Sequence, residues 1–180
     1  HDERVDRTTD GTGYVGDYTL NELKRLSIAG DDEIHRIPTL RETFELLAPY
    51  CKNKGLRLNI ELKNSVIRYE GMEQKVIDMV SEYNIEDYVV YSSFNHDSIG
   101  LVRQLKCDAD VAYLAGDYHR CVDGISKYGG MTIHPAQWGM PVNKTDVEAL
   151  KNAGLRVRMW NGSEPLYGQC RTLPDTDLRE

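Results

Sequence analysis

The chain has 180 residues, of which 40% are hydrophobic and 28% are charged, and its formal net charge is −7. This composition is typical of an ordinary globular protein and argues against a disordered chain or a basic nucleic-acid-binding protein. An acidic protein that acts on an anionic substrate needs a local positive charge, so a metal ion or a few well-placed Lys and Arg residues are expected at its site.

The first 55 residues are predicted to form helices and turns, without an evident strand. Two capping boxes indicate helix starts, one at Thr19 with Glu22 and one at Thr39 with Glu42. The first predicts a helix that reaches Leu26. The second predicts a helix with an apolar stripe of Leu40, Phe44 and Leu47.

From about residue 56 onward, short β-rich runs alternate with helical patterns. Strands are predicted at Arg57–Leu62, Tyr88–Ser92, Asp110–Leu114, Met131–His134 and Leu155–Trp160. This alternation is typical of repeated βα units on a parallel sheet, which is either an open doubly wound sheet or part of a barrel. In a nucleotide-binding sheet a glycine-rich phosphate-binding motif directly follows the first strand, and none follows the strand predicted at Arg57–Leu62, which favours the barrel. The run from Gly11 to Gly16 has the G-x-G-x-x-G spacing but precedes every predicted strand.

The segment from Asn59 to Lys63 carries charge at the end of the first predicted strand. Side chains alternate along a strand, so Glu61 and Lys63 are predicted to face the same rim, while Ile60 and Leu62 pack on the other side. A carboxylate beside an ammonium suits a hard cation next to a phosphoryl oxygen. The alternative is a plain ion pair at a strand end.

A histidine opens the chain, followed by a turn-rich loop that ends near Gly13. Histidine as a residue type titrates near neutrality, so His1 is a candidate for moving protons to or from a phosphodiester oxygen. The alternative is an incidental solvated residue. Three other histidines, His35, His96 and His119, are predicted to be surface or cap residues.

These motifs, in this order, closely resemble the glycerophosphodiester phosphodiesterase family. The resemblance covers residues 1 to 160. It is carried by the runs from His1 to Leu20, Ile37 to Leu40, Asn59 to Lys63 and Ser92 to His96, by His134 with Pro135, and by the strand that ends at Trp160.

The resemblance implies an α/β protein, a partial (β/α)8 barrel of the TIM type, similar to phospholipase C-like enzymes. It also implies metal-dependent hydrolysis of glycerophosphodiesters to an alcohol and glycerol 3-phosphate, a step of lipid metabolism. His1 matches one of two acid/base histidines, Glu61 one of three carboxylate ligands of a divalent ion (Ca²⁺ or Mg²⁺), and Lys63 a phosphate contact. Phe94 and Trp160 match positions that line the mouth, where core packing is the alternative.

The family pattern begins with a His-Arg-Gly strand and a Glu-x-Asp strand, which would precede His1. We therefore expect the first two strands and the last strand to be missing, with an incomplete domain at residues 1–160 and a divergent or disordered tail at 161–180. We also expect this fragment to be nearly inactive. A non-catalytic binding module and a lysophospholipase D-like enzyme are the alternatives.

The expected partner is a small glycerophosphodiester, and no nucleic acid is expected. No apolar run approaches the roughly 20 residues that cross a membrane. The four cysteines are far apart and are predicted to be free thiols. The compartment is left open, with the cytoplasm favoured, and the sequence does not indicate an oligomeric state.

Overall fold

The computed structural model describes residues 1–28, 35–140 and 144–160. The chain divides into two compact units. One contains His1–Leu58 and Lys63–Val89, and the other contains Asn59–Leu62 and the chain from Val90 onward. The tail predicted at residues 161–180 lies outside the described residues.

The first unit is mainly helical. Its helices and strands are α1 (Leu20–Leu23), β1 (Ser27–Ile28), β2 (His35–Arg36), α2 (Leu40–Lys54) and α3 (Met72–Glu82). Both predicted capping boxes are present, because the hydroxyls of Thr19 and Thr39 accept the amide three residues later and the glutamate there caps the threonine amide in return.

The segment after α1 differs from the sequence prediction. The helix ends at Leu23 instead of Leu26, and β1 and β2 form a short antiparallel ribbon that was not predicted. The loop before α1 binds the residues that would have continued the helix. The Ser27 amide donates to Asp10 Oδ1 (2.8 Å), the Asp10 amide donates to the Ser27 carbonyl (3.0 Å), and Leu26 packs over Gly11. Such tertiary contacts override the modest helix propensity of a short segment.

Helix α2 packs on the end of α3 through a buried stripe. Phe44, Ala48 and Cys51 are buried and lie on one helix face. The Phe44 ring meets the Tyr83 ring edge-on, with 5.5 Å between the ring centroids. Gly55, with φ of 69°, ends the helix in the left-handed conformation that glycine adopts without strain.

The second unit is built on a five-stranded sheet with the strand order β3-β4-β5-β6-β7. Its helices and strands are β3 (Leu58–Glu61), β4 (Val89–Ser93), α4 (His96–Leu105), β5 (Val111–Ala115), α5 (Tyr118–Tyr128), β6 (Thr132–Pro135), α6 (Lys144–Asn152) and β7 (Arg156–Val157). The pairs β4–β5, β5–β6 and β6–β7 are parallel. All five predicted strands are confirmed, with ends that differ by one to three residues.

Helix α5 was not predicted from the sequence. It begins after Asp117, whose carboxylate accepts the Arg120 amide, and it carries a glycine in its interior at Gly124. Glycine weakens a helix in isolation, but a Cβ at this position would overlap the Tyr113 ring of β5. Close packing on the sheet therefore stabilises α5, and a local pattern does not show this packing.

Three cysteines lie in the described residues, and Cys51, Cys107 and Cys121 are free thiols there, as predicted. Cys51 and Cys121 are buried, whereas Cys107 is exposed. Within the described ranges, every helix is either too short or too polar to cross a bilayer.

Candidate active site

The His1 imidazole is held by a carboxylate that is itself held by a guanidinium. His1 Nδ1 lies 2.7 Å from Asp2 Oδ1. Arg7 donates to both carboxylate oxygens, from Nε at 2.6 Å and from Nη2 at 2.8 Å, in a planar two-pronged geometry. These hydrogen bonds hold the pKa of Asp2 below its usual value, although partial desolvation opposes the effect. Asp2 is therefore ionised at neutral pH and only accepts hydrogen bonds.

The loop that follows this histidine and carries Arg7 is closed by its own backbone. The Val5 amide donates to the Gly13 carbonyl (3.0 Å), and the Val5 side chain is buried. The Thr9 hydroxyl and amide both donate to the Val5 carbonyl, at 2.8 and 3.0 Å. Gly13 has φ of 107°, a conformation that favours glycine. The turn residues seen in the sequence thus close the loop that carries Arg7, the partner of Asp2.

Lys63 lies in the same unit, and its positive charge contributes to the lowered pKa of Asp2. The segment after Lys63 is anchored by Glu73, a fully buried carboxylate that accepts hydrogen bonds from Asn64 Nδ2 (3.1 Å) and from the Arg68 guanidinium. Buried charge is tolerated when it is paired in this way. The ammonium is therefore carried by an anchored segment, within electrostatic range of Asp2.

Glu61 is the last residue of β3 and is half-buried. The Leu62 amide donates to the Ser92 carbonyl at 2.7 Å. In a parallel ladder this bond places Leu62 level with Ser93 and Glu61 level with Ser92, on the opposite side from the buried Leu62 side chain. Glu61 belongs to the second unit and Lys63 to the first, so their common rim stays a prediction.

Glu61 alone does not make up a site for a hard divalent cation. Ca²⁺ and Mg²⁺ take about six or more oxygen ligands, and one carboxylate supplies at most about two. In residues 1–28, 35–140 and 144–160, no group of three His, Cys, Asp or Glu side chains is arranged to hold a metal ion. The described residues therefore do not fit a complete metal site by themselves.

Phe94 and Trp160, both predicted to line the mouth, contact each other. Their ring centroids are 5.3 Å apart and their planes make an angle of 84°, an edge-to-face geometry that stabilises aromatic pairs. Trp160 Nε1 donates to the Ala115 carbonyl at 3.1 Å, which fixes the indole. Phe94 is 41% exposed, so the pair presents aromatic surface to solvent. Its role in substrate binding stays a prediction.

His134 lies on β6 and is 5% exposed. Its Nε2 lies 3.4 Å from Arg158 Nη1. Burial lowers the pKa of His134 to about 4, and the charge of Arg158 acts in the same direction. His134 is therefore neutral at pH 7, and because a guanidinium only donates, its Nε2 is the accepting nitrogen.

The five-stranded sheet of consecutive βα units has the architecture of part of a (β/α)8 barrel. In such barrels functional residues gather at the carboxyl ends of the strands, where Glu61 ends β3. Comparison of the sequence with known families agrees with this class. The chain belongs to the glycerophosphoryl diester phosphodiesterase family, which matches residues 1–175.

Similar proteins include two bacterial enzymes and one uncharacterized protein. The glycerophosphodiester phosphodiesterase of Caldanaerobacter subterraneus is 44% identical in an alignment 113 positions long that covers 58% of this chain and 43% of that protein. The enzyme of the same name from Bacillus altitudinis is 37% identical, over 83% of this chain and 62% of its own length. The uncharacterized protein YqiK of Bacillus subtilis is 35% identical, over 92% of this chain and 68% of its own length. The chain thus spans between 43% and 68% of the length of these relatives.

Solved structures confirm the fold. The phosphodiesterase of Oleispira antarctica, in complex with the product sn-glycerol-3-phosphate, has a TM-score of 0.73 and 27% identity, over 94% of this chain and 70% of that one. A glycerophosphodiester phosphodiesterase of Agrobacterium tumefaciens has a TM-score of 0.71 at 20% identity, over 96% of this chain and 72% of that one. The predicted partial (β/α)8 barrel is therefore confirmed.

The sequence analysis missed the pairing of Asp2 and Arg7 with His1. The available signal was an aspartate directly after the histidine and an arginine six residues after it. No periodic pattern brings these three side chains together, and the hydrogen bonds of Asp2 to His1 and to Arg7 show that they meet.

Proposed function

We propose that the protein to which this chain belongs hydrolyses glycerophosphodiesters to an alcohol and glycerol 3-phosphate, with a divalent cation, Ca²⁺ or Mg²⁺, as cofactor. The observation that carries the proposal is the His1 imidazole, hydrogen-bonded to the Asp2 carboxylate, whose pKa is lowered chiefly by Arg7 and also by the charge of Lys63. A proton-transferring group and an anion-binding group in one compact unit suit the cleavage of a phosphodiester. Membership of the family and the product-bound relative from Oleispira antarctica support the substrate class.

The roles of the chain's own residues follow from their chemistry. His1 exchanges a proton with an oxygen of the diester, and Lys63 binds a phosphoryl oxygen as a point charge. Phe94 and Trp160 offer aromatic surface to the glycerol or alcohol portion of the substrate. Together these residues position the diester and move one proton.

Glu61 is proposed as one metal ligand among several. A bound cation would neutralise the negative charge on the phosphoryl oxygens. Glu61 is one carboxylate and His1 one acid/base histidine, and the reaction uses more of each. We therefore propose that the 180-residue chain alone hydrolyses the substrate slowly or not at all.

The experiment compares this chain with a chain extended by the residues that the coding DNA specifies upstream of His1. Release of glycerol 3-phosphate from glycerophosphocholine is followed with glycerol 3-phosphate dehydrogenase and NAD⁺, in Ca²⁺, in Mg²⁺ and in EDTA. The extended chain is expected to be active only with metal, and the 180-residue chain to be nearly inactive.

Robust metal-dependent activity of the shorter chain contradicts the proposed inactivity. An inactive extended chain contradicts the enzyme and favours a binding module, and choline release from lysophosphatidylcholine alone favours a lysophospholipase D-like enzyme.

Two variants of the active chain separate the proposed roles. Lys63→Ala is expected to raise KM more than it lowers kcat, because it removes a phosphate contact. His1→Ala is expected to lower kcat by about 10²-fold to 10⁴-fold without loss of metal binding. Lys144→Ala, whose side chain is 89% exposed on α6, is the matched control and should leave both constants unchanged.

A further inference from the structure

The two ring nitrogens of His1 have different surroundings. Nδ1 faces the Asp2 carboxylate at 2.7 Å, and the side chain is 64% exposed. Among the described residues, Nε2 has no hydrogen-bond partner, so it is the nitrogen that a ligand can reach. Which nitrogen carries the proton of the neutral ring decides what Nε2 can do.

Asp2 and Arg7 together decide this question. The carboxylate is an acceptor only, so the close Nδ1 atom must carry the hydrogen that joins them. Arg7 Nη2 also lies 3.4 Å from His1 Nδ1, but its 2.8 Å bond to Asp2 Oδ1 is shorter, and both Arg7 bonds to Asp2 are charge-assisted. Arg7 therefore orients the carboxylate and does not compete for the imidazole.

We propose that Asp2 and Arg7 are positioning residues that hold neutral His1 as the Nδ1–H tautomer, with the lone pair on the exposed Nε2. Nε2 is then the atom that takes a proton from, or returns it to, an oxygen of the substrate. The proposal rests on the proposed function for what Nε2 does to substrate, and on the loop geometry alone for the tautomer.

The tautomer is measured without any turnover. The 180-residue protein is labelled with ¹⁵N in its histidine rings, and ring nitrogen shifts are recorded at a pH where His1 is neutral. His1→Gln identifies the signals of His1 by their disappearance. In the unaltered protein, Nδ1 is expected to give the shift of a protonated nitrogen and Nε2 that of an unprotonated one. Acetylation of the amino terminus, which removes its charge, should leave this pattern unchanged.

Variants of the two partners test the cause. Asp2→Ala is expected to abolish the preference for Nδ1–H, Arg7→Gln to weaken it, and Asp2→Glu to restore part of it. Asp17→Ala, which removes an exposed carboxylate elsewhere in the same unit, is the matched control. A protonated Nε2 in the unaltered protein, or an unchanged tautomer in Asp2→Ala, overturns the proposal.

A failure of the positioning role of Asp2 can be distinguished from a failure of the proposed phosphodiesterase function. In an active extended chain, Asp2→Ala should lower kcat with little change in KM, and Asp2→Glu should recover part of the loss. If the tautomer behaves as expected but no diester is cleaved, the proposed function fails while the positioning roles stand. If kcat is unaffected by Asp2→Ala in an active enzyme, the positioning role is wrong.

Discussion

Because His134 is buried, the free energy of unfolding is expected to fall as the solution becomes more acidic. The pKa of His134 falls from 6.5 to about 4 in the folded protein. Between pH 6.5 and pH 4, therefore, His134 is protonated in the unfolded chain and neutral in the folded protein. Stability from this residue is complete above pH 6.5 and is lost as the pH falls toward 4. At about 1.4 kcal/mol per pH unit, the loss amounts to about 3 kcal/mol.

Urea unfolding, followed by tryptophan fluorescence at several values between pH 7.5 and pH 4.5, tests this prediction. His134→Gln keeps a hydrogen-bond acceptor for Arg158 but cannot be protonated. The difference in unfolding free energy between the unaltered protein and this variant should therefore shrink or reverse as the pH falls below 6.5. His119→Gln, at an exposed position of α5, is the control and should follow the unaltered protein. Parallel pH profiles for the unaltered protein and His134→Gln would refute the reasoning.

Three further predictions concern the packing of each unit. Glu73→Ala should lower the free energy of unfolding by about 3 kcal/mol in urea titrations, because it removes the acceptor of the buried Asn64 amide and the ion-pair partner of Arg68. A loss below about 0.5 kcal/mol would contradict the anchoring role. Gly124→Ala should destabilise by about 1–3 kcal/mol by thermal unfolding, since its Cβ would overlap the Tyr113 ring, and an unchanged melting temperature would show that α5 packs less closely. Burial raises the pKa of the Cys121 thiol to about 12, whereas Cys107 is exposed. A thiol reagent at pH 8 should therefore modify Cys107 quickly and Cys121 only on unfolding. Equal rates of modification of these two cysteines in the folded protein would contradict the burial of Cys121.

The strands and most helices could be predicted because their signals are local. β-rich runs separated by helical spacing repeat from residue 56 onward, and the threonine of each capping box needs only a glutamate three residues away. The prediction was wrong where packing between distant residues decides the structure. Leu26 leaves the helix to pack over Gly11, and Gly124 is tolerated in α5 because Tyr113 occupies the space of a side chain.

The candidate site was predictable by residue type and less so by geometry. His1, Glu61 and Lys63 are recognisable from their motifs. The two-pronged contact of Arg7 with Asp2, however, depends on the conformation of a loop, and the sequence of a loop has no hydrophobic periodicity from which its conformation could be predicted. The neutral state of His134 follows from burial, which depends on the whole sheet and not on neighbouring residues.

The central claim is metal-dependent phosphodiester hydrolysis in which Glu61 is a metal ligand, and one comparison tests it most directly. Glycerol 3-phosphate release from glycerophosphocholine and the binding of Ca²⁺ by calorimetry are measured for the extended chain and for its Glu61→Gln variant, with Glu148→Gln on α6 as the matched control. Loss of a charged ligand should sharply reduce turnover and weaken Ca²⁺ binding in Glu61→Gln, while Glu148→Gln should change neither. Normal turnover and normal metal binding in Glu61→Gln would contradict the assignment of this site.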